Sequence, residues 1–375
     1  MSLQTSCFRS QNSFIGLSLL LILTFSGCPG ETPGPGPATN GEGGGGGRIV
    51  ILTNGDDPFW DACEAGAFKA EEELGLKDQG YEVTFDRADF TDKGQVDKLK
   101  QYSLQKDIVG FGISVFNPNS AGVADELQAM RDRGVKVVTI DGDLDREKYR
   151  DRRFAYLGTD NIIGGRELGR AGKALSPDGA KFVQFVGSTS AFNAIARMDG
   201  FVEGAGENMT EVERLEDGGD RPTARQNVKG ALDRNPDLNM LVGIWAYNTP
   251  AIVAEVKDRD IRDQVKVVCF DAAEDSIRAM KEGNVDVMVV QNPYQMGYVG
   301  VELLKAMVEE DQDYIDKMYP EYAQEGENDL FRTELRVIVP DEGSPITADL
   351  FEEDTVFMKL SEFEAWLKER GLTSS

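Results

Sequence analysis

The sequence contains no histidine. That absence removes His-dependent catalytic triads, imidazole zinc sites and the commonest general base in one step. Cysteine is scarce as well. Of four, Cys7 and Cys28 lie in the N-terminal segment, which leaves Cys63 and Cys269 for the body of the chain. One falls in an early helical pattern and the other at a late strand end, so two buried free thiols are expected rather than a disulfide framework. Positive charge is short: 40 Lys and Arg against 66 Asp and Glu leave a formal net charge of −26. Nucleic-acid affinity rests on cations that neutralise phosphates, so no nucleic-acid partner is expected. Acidic residues are dense in Glu302–Asp329, which reads as a solvated surface.

What is present begins with an address. Arg9 precedes an apolar run, Phe14–Phe25 (FIGLSLLLILTF), followed by the small residues Ser26 and Gly27 and then Cys28. This is the layout of a secretory signal over residues 1–27. The run is too short to cross a bilayer, which takes about 20 apolar residues. A cysteine directly after the small pair is similar to a bacterial lipobox, with Phe25 where that pattern prefers Leu, and makes Cys28 the expected lipidation site. The spacer from Pro29 to Gly47 (PGETPGPGPATNGEGGGGG) has almost no apolar side chains to offset the entropy of ordering it. Its glycine run follows no strand and ends in no Gly-Lys-Ser/Thr, so it is read as a tether and not a phosphate loop.

Beyond Arg48 the chain alternates short apolar runs with segments of helical spacing. The runs include Arg48–Thr53, Ile108–Val115, Val135–Ile140, Lys181–Val186, Met240–Ile244, Val265–Phe270 and Val285–Val290. Strands apolar on both faces, separated by amphipathic helices, predict parallel sheets covered on both sides, and right-handed crossovers make them doubly wound α/β layers. The number of strands exceeds what one such sheet usually carries, so two lobes are expected. In open α/β sheets ligands bind beyond the carboxyl ends of the strands. Those positions hold Asp57-Pro58-Phe59-Trp60, Asp141, Asp160-Asn161, Asn248-Thr249-Pro250, Asp271 and Gln291-Asn292-Pro293. Singly, each Asp or Asn also suits a helix cap, and Pro suits a first helical turn. Together they supply paired acceptors and amides, which adjacent hydroxyls require because each hydroxyl both donates and accepts. Phe59 and Trp60 add flat apolar surface suited to a sugar ring.

Asp57-Pro58-Phe59-Trp60 with Gly66, then VVTIDGD, LGTDNIIGG, NAIARMDGF, WAYNTPAIVA, VVCFDAAEDSIRAM and VVQNPYQMG occur in the order seen in ribose-binding-protein-like periplasmic binding proteins of type I, which this chain resembles from about Arg48 to Val308 and on to the Arg332–Val339 run. The resemblance implies two Rossmann-like lobes joined by three crossings: a first lobe of residues 48–158 and 293–339, a second of 159–292, and an extension, 340–375, closing with the amphipathic Leu360–Arg370. It implies ligand contacts from Asp57, Phe59, Trp60 and Asp141 in the first lobe, Arg197, Asn248 and Asp271 in the second and Gln291 at a crossing, with Thr53 a weaker contact. It also implies hinge closure on a monosaccharide or polyol and docking of a monomer on an ABC-type permease driven by a separate ATPase. No cofactor, metal or catalytic residue is expected. Two departures bear on the ligand. Gly142 stands where ribose binders carry a contacting arginine, and Gly219 stands where an aromatic residue is common; both are expected to enlarge the pocket, with Trp245, Tyr247, Phe192 or Tyr294 as replacement stacking faces. Asp57 in place of asparagine looks more like the hexose binders.

Two other function classes fit less of the sequence. A glycosidase working with paired carboxylates needs no histidine, but a cleft that encloses its ligand suits capture better than chain cleavage. A sensor partner without transport shares every motif. A lac-repressor-type regulator would need a basic helix-turn-helix where this chain has a signal segment. The address itself is testable. The wild-type chain should partition with membranes, and Cys28→Ala should be left unprocessed or soluble; identical, unlipidated processing of both forms would refute the anchor.

Overall fold

Alternation along the first strand shows how the lobes are built. Ile49 and Ile51 point into one core layer with Trp60, Val138, Ile140 and Leu304. Val50 and Leu52 point into the opposite layer with Phe111, Ile113 and Leu127. A strand buried on both faces must be covered by helices on both sides. The computed structural model describes residues 46–322 and 328–375. The signal segment, Cys28 and nearly all of the spacer lie outside the described residues. Among the described residues no helix is long and apolar enough to cross a membrane.

The chain lays down β1 (Gly47–Leu52), α1 (Pro58–Glu73), β2 (Tyr81–Asp86), α2 (Asp92–Ser103), β3 (Ile108–Ile113), α3 (Ala121–Asp132), β4 (Lys136–Ile140), α4 (Arg146–Tyr149) and β5 (Tyr156–Gly158). It then crosses to a second lobe with α5 (Asn161–Leu175), β6 (Ala180–Val186), α6 (Phe192–Ala205), β7 (Met209–Glu216), α7 (Arg221–Arg234), β8 (Met240–Gly243), α8 (Asn248–Asp258), β9 (Lys266–Phe270), α9 (Glu274–Lys281) and β10 (Val287–Val290). It returns through α10 (Pro293–Val308), α11 (Gln312–Met318) and β11 (Leu330–Arg332), and ends with β12 (Arg336–Val339), β13 (Val356–Lys359) and α12 (Leu360–Glu369). The first sheet has the order β11-β5-β4-β3-β1-β2 and the second β13-β12-β10-β9-β8-β6-β7. All pairs are parallel except β10 with β12. These are two doubly wound Rossmann-like lobes, each with the strand order 2-1-3-4-5 at its centre.

Three sequence expectations need correction. The Arg332–Val339 run is not one strand of the first lobe: β11 joins the first sheet and β12 the second, so the third crossing falls at Thr333–Leu335, before the expected boundary. Residues 340–375 are not an appendage, because β13 extends the second sheet while Leu360, Phe363 and Leu367 enter its core. The acidic Asp311–Asp329 segment is only partly a solvated surface. Ile315, Met318 and Tyr319 pack into the first-lobe core, and Asp329, fully buried, takes ion pairs from Arg146, Arg150 and Arg153.

Two helix pairs make close approaches that only glycine allows. A Cβ on Gly165 or Gly200 would strike the backbone of the facing helix at Arg197 or Ile162, which draws α5 onto α6. Gly66 and Gly297 do the same for α1 against α10. The first pair fixes the helix that carries Arg197. Cys63 and Cys269 are free and buried.

Asp329 supplies the test. Arg153 is 1 % exposed and depends on Asp329 and Asp143 for its counter-charge. Removing one partner from a buried ion-pair network costs about 3–5 kcal/mol, whereas an exposed acidic loop tolerates substitution within about 0.5 kcal/mol. Asp329→Ala should lower unfolding stability by the larger amount in urea titrations.

Candidate functional site

The carboxyl ends of β4 and β9 carry the same backbone feature. Asp141 and Asp271 follow those strands directly, and both sit in the left-handed region, with φ of 63° and 66°. For residues other than glycine this conformation is uncommon and concentrates at functional positions. Each amide is pinned to the neighbouring strand, Asp141 N–H to the Leu157 carbonyl at 3.0 Å and Asp271 N–H to Val289 at 2.8 Å. Asp271 caps no helix: α9 starts after Ala273 without any side-chain cap. The capping alternative fails there, although it holds for Asp57, which accepts from Phe59 N–H at 3.0 Å.

Arg197 is the cation at the centre. It is 2 % exposed, donates from Nε to Asn161 Oδ1 at 2.9 Å and from a terminal nitrogen to the Ile244 carbonyl at 3.4 Å, and stands 3.6 Å from Asp271. Its guanidinium lies 4.0 Å from the ring centre of Phe270. The loop after β8 then ties the second-lobe residues together. Ile244 takes the arginine, and Trp245 N–H donates to Asn248 Oδ1 at 3.0 Å. Asn248 Nδ2 donates to Asp217 at 2.8 Å, and Asp217 also accepts from the Tyr247 hydroxyl.

Charge couples the two lobes. Loss of water pushes the Asp141 carboxyl up to about 6, with Arg197 and the Ser114 hydroxyl opposing the rise and the Asp271 charge adding to it. Asp271 is raised by burial too, held back by Arg197 and by the Gln291 amide, and pushed further by Asp57. Asp57 and Asp141 of the first lobe therefore lie within electrostatic reach of Arg197 and Asp271 of the second. Gln291 completes the group: its Nε2 donates to Asp271 at 2.8 Å and its Oε1 accepts from Thr159 at 2.7 Å.

Not every expected residue is equally placed. Trp60 is 3 % exposed, packs into the first-lobe core and gives its Nε1–H to Asn54 at 3.2 Å, while Phe59 meets it edge-on and remains half-buried. Thr53 is fully buried, with its hydroxyl spent on the Gly55 carbonyl. Gly142 does not open space, because a Cβ there would press on the Val115 carbonyl at 2.5 Å and on the Ser114 hydroxyl; Gly219 faces open space. Asp217 was missed. It follows β7, an edge strand whose charged residues hide its period, so its carboxyl end was not recognised. Asn161, the acceptor for Arg197, stood among the strand-end residues but not among the chosen contacts. Among the described residues no cluster of ligating side chains forms a metal site.

Comparison with known proteins gives the family. The chain belongs to the periplasmic binding protein family, whose domain profile matches residues 47–312. It is 23 % identical over 259 residues to the ribose import binding protein of Escherichia coli, covering 68 % of this chain and 81 % of that protein. The Bacillus subtilis ribose import binding protein is 23 % identical over 298 residues, 78 % of this chain and 91 % of that one. Among solved structures, a glucose-galactose binding protein from Geobacillus stearothermophilus superposes with a TM-score of 0.66 at 24 % identity, covering 78 % of this chain and 97 % of the other.

The raised Asp141 carboxyl has a stability consequence. Its proton affinity is higher in the fold than in the unfolded chain, so between about pH 4 and 6 the native state binds more protons and gains stability as pH falls. Above about 6 the whole penalty stands. Asp141→Asn should therefore stabilise the empty protein at pH 7 by about 1–3 kcal/mol, at 1.4 kcal/mol per decade of proton affinity. The gain should shrink by pH 4.5. Denaturation curves of both forms at the two pH values check it; equal stability at pH 7 would mean that the charge is already compensated.

Proposed function

We propose that this chain is the extracytoplasmic binding component of an ABC-type sugar importer. It captures a monosaccharide or similar polyol between its lobes, closes on it by hinge motion and presents the closed form to a membrane permease. The observation that carries this reading is the buried Arg197, held against Asp271 in one lobe and electrostatically coupled to Asp141 in the other. Three carboxylates, one guanidinium and amides at Asn248 and Gln291 offer the alternating donors and acceptors that a ring of hydroxyls needs. Excess negative charge disfavours anions such as phosphates. The relatives named for ribose import and the glucose-galactose binding structure support a sugar in this cleft. The lipobox-like Cys28 supports a membrane tether, which would keep a monomeric binding protein beside its permease.

Closure follows from where the contacts lie. A ligand that touches Asp57 and Asp141 on one side and Arg197, Asn248 and Asp271 on the other has all its hydroxyls paired only when the lobes meet. Excluding water then makes each hydrogen bond stronger and each missing one costly. Nothing in this scheme breaks a bond, and the protein acts as a receptor and not as an enzyme.

The test uses the purified chain against ribose, arabinose, xylose, glucose, galactose, allose and inositol. A sugar present at 100 times its dissociation constant should add about 2.7 kcal/mol of stability, and small-angle scattering should show a smaller radius of gyration in its presence. Hydrogen bonds that involve a charged group contribute about 1.5–3 kcal/mol, so Arg197→Ala should weaken binding tenfold or more. A panel with no stabilising sugar would refute the sugar reading. An unchanged radius at saturation would refute closure.

A further inference from the structure

The loop after β8 organises the second-lobe half of the site through its backbone, yet the largest side chain it carries is left with an unanswered group. Trp245 Nε1 is buried and has no hydrogen-bond partner. A buried indole N–H without an acceptor is costly, and in a native protein each such group calls for an explanation, of which a bound partner is one. The other tryptophans differ: Trp60 donates to Asn54, and Trp366 lies between the guanidinium groups of Arg336 and Arg370, 3.8 and 4.3 Å from its ring.

Two further observations place the indole as part of a shaped wall. Residue 187, directly after β6, is glycine, and a Cβ there would collide with the six-membered ring of Trp245 and with the Tyr247 hydroxyl. The β6 loop is thus cut back to admit the indole. On the neighbouring β7 loop, Gly219 faces open space, at the position where an aromatic residue is common in the proteins this chain resembles. A backbone bond from Trp245 N–H to Asn248 Oδ1 at 3.0 Å holds the indole's own residue beside the candidate contact Asn248.

The donor chemistry fits what the carboxylates lack. Asp57, Asp141 and Asp271 only accept when ionised, so each ligand hydroxyl that donates to one of them needs a donor for its own lone pairs. Arg197 supplies such donors on one side. We infer that Trp245 supplies another: its Nε1–H donates to a hydroxyl or ring oxygen of the bound sugar, and its ring provides the aromatic face that Gly219 gives up. Trp245 is then a specificity-determining residue that selects a sugar with an acceptor oxygen opposite the carboxylates. The inference rests on the sugar-capture reading.

The experiment compares the wild-type chain with Trp245→Phe, which keeps an aromatic face and removes the N–H, and with Gly187→Ala, which displaces the indole without changing its chemistry. The sugar panel above is the probe. The three tryptophans give three indole N–H resonances, and the one lost in W245F identifies Trp245. For a sugar that stabilises the wild type, that resonance should shift and become protected from exchange on binding. W245F and G187A should bind it at least fivefold more weakly, and empty W245F should melt no lower than the wild type. If the sugar binds W245F as tightly as the wild type, or if the resonance stays unmoved at saturation, this inference is overturned while the sugar reading stands. If W245F melts lower with unchanged affinity, the indole is only a packing element and the inference fails. If no sugar stabilises the wild type, both fall together.

Discussion

The amide of Gln291 is the joint on which the rest of the structure depends. Its Nε2 holds Asp271, its Oε1 receives the Thr159 hydroxyl from the first crossing, and its backbone carbonyl accepts from Ser375 Oγ at 3.2 Å. The third crossing is tied in as well, with Thr333 N–H on the Gly158 carbonyl at 2.8 Å and Glu334 N–H on Gln295 Oε1 at 2.7 Å. A carboxylate at position 291 could accept but not donate, and an alkyl chain could do neither; only an amide serves both neighbours. Because the group is 2 % exposed, water does not substitute for a lost partner. The same side chain therefore connects the charge facing the cleft with the covalent links between the lobes.

The two lobes repeat one device. Within the shared strand order, β4 and β9 occupy equivalent places, and each ends in an aspartate held at positive φ. Burial raises both carboxyls, and Arg197 offsets the rise only in part. Such an arrangement costs stability in the empty protein and suits a site whose remaining hydrogen bonds come from a ligand. Two desolvated acids at positive φ, electrostatically coupled across the lobes, are hard to explain as scaffolding, since helix caps or apolar residues would stabilise both strand ends better.

Much of this was legible because parallel strands buried on both faces leave unmistakable apolar runs, and because ligand residues in such sheets follow those runs directly. Asp141, Asn248, Asp271 and Gln291 are the candidate contacts that this rule selects. The failures also have physical causes. The edge strand β7 reads MTEVERLE, and only its first residue is buried, so its period is masked by charge and Asp217 at its end was overlooked. The Arg332–Val339 run continues through Leu335, which is 1 % exposed, so nothing in its hydropathy reveals that the chain changes sheets there. Asp329 lies in an acidic stretch that looks solvated, and only the fold brings three arginines to it. Gly142 appeared to vacate space that the backbone in fact occupies. Close approach and vacancy give the same letter, and only coordinates tell them apart.

The C-terminal segment adds a constraint that the sequence left without a role. Ala272 and Ser375 exchange backbone hydrogen bonds at 3.0 and 3.2 Å, next to Asp271. Trp366 is held between Arg336 and Arg370, and Arg370 also reaches over Tyr294, at the start of α10 just beyond the second crossing. Trp366 meets Tyr294 edge-on at 6.2 Å. The contacts with Ala272 and Gln291 are directional hydrogen bonds, and they run to the second lobe and its crossing. Those toward Tyr294 on the first-lobe helix are aromatic and cation–π contacts, whose attraction varies gently with lateral displacement. A brace fixed by hydrogen bonds at one end and by stacking at the other is compatible with the proposed turn of one lobe against the other. The proposed closure needs a back wall of that kind.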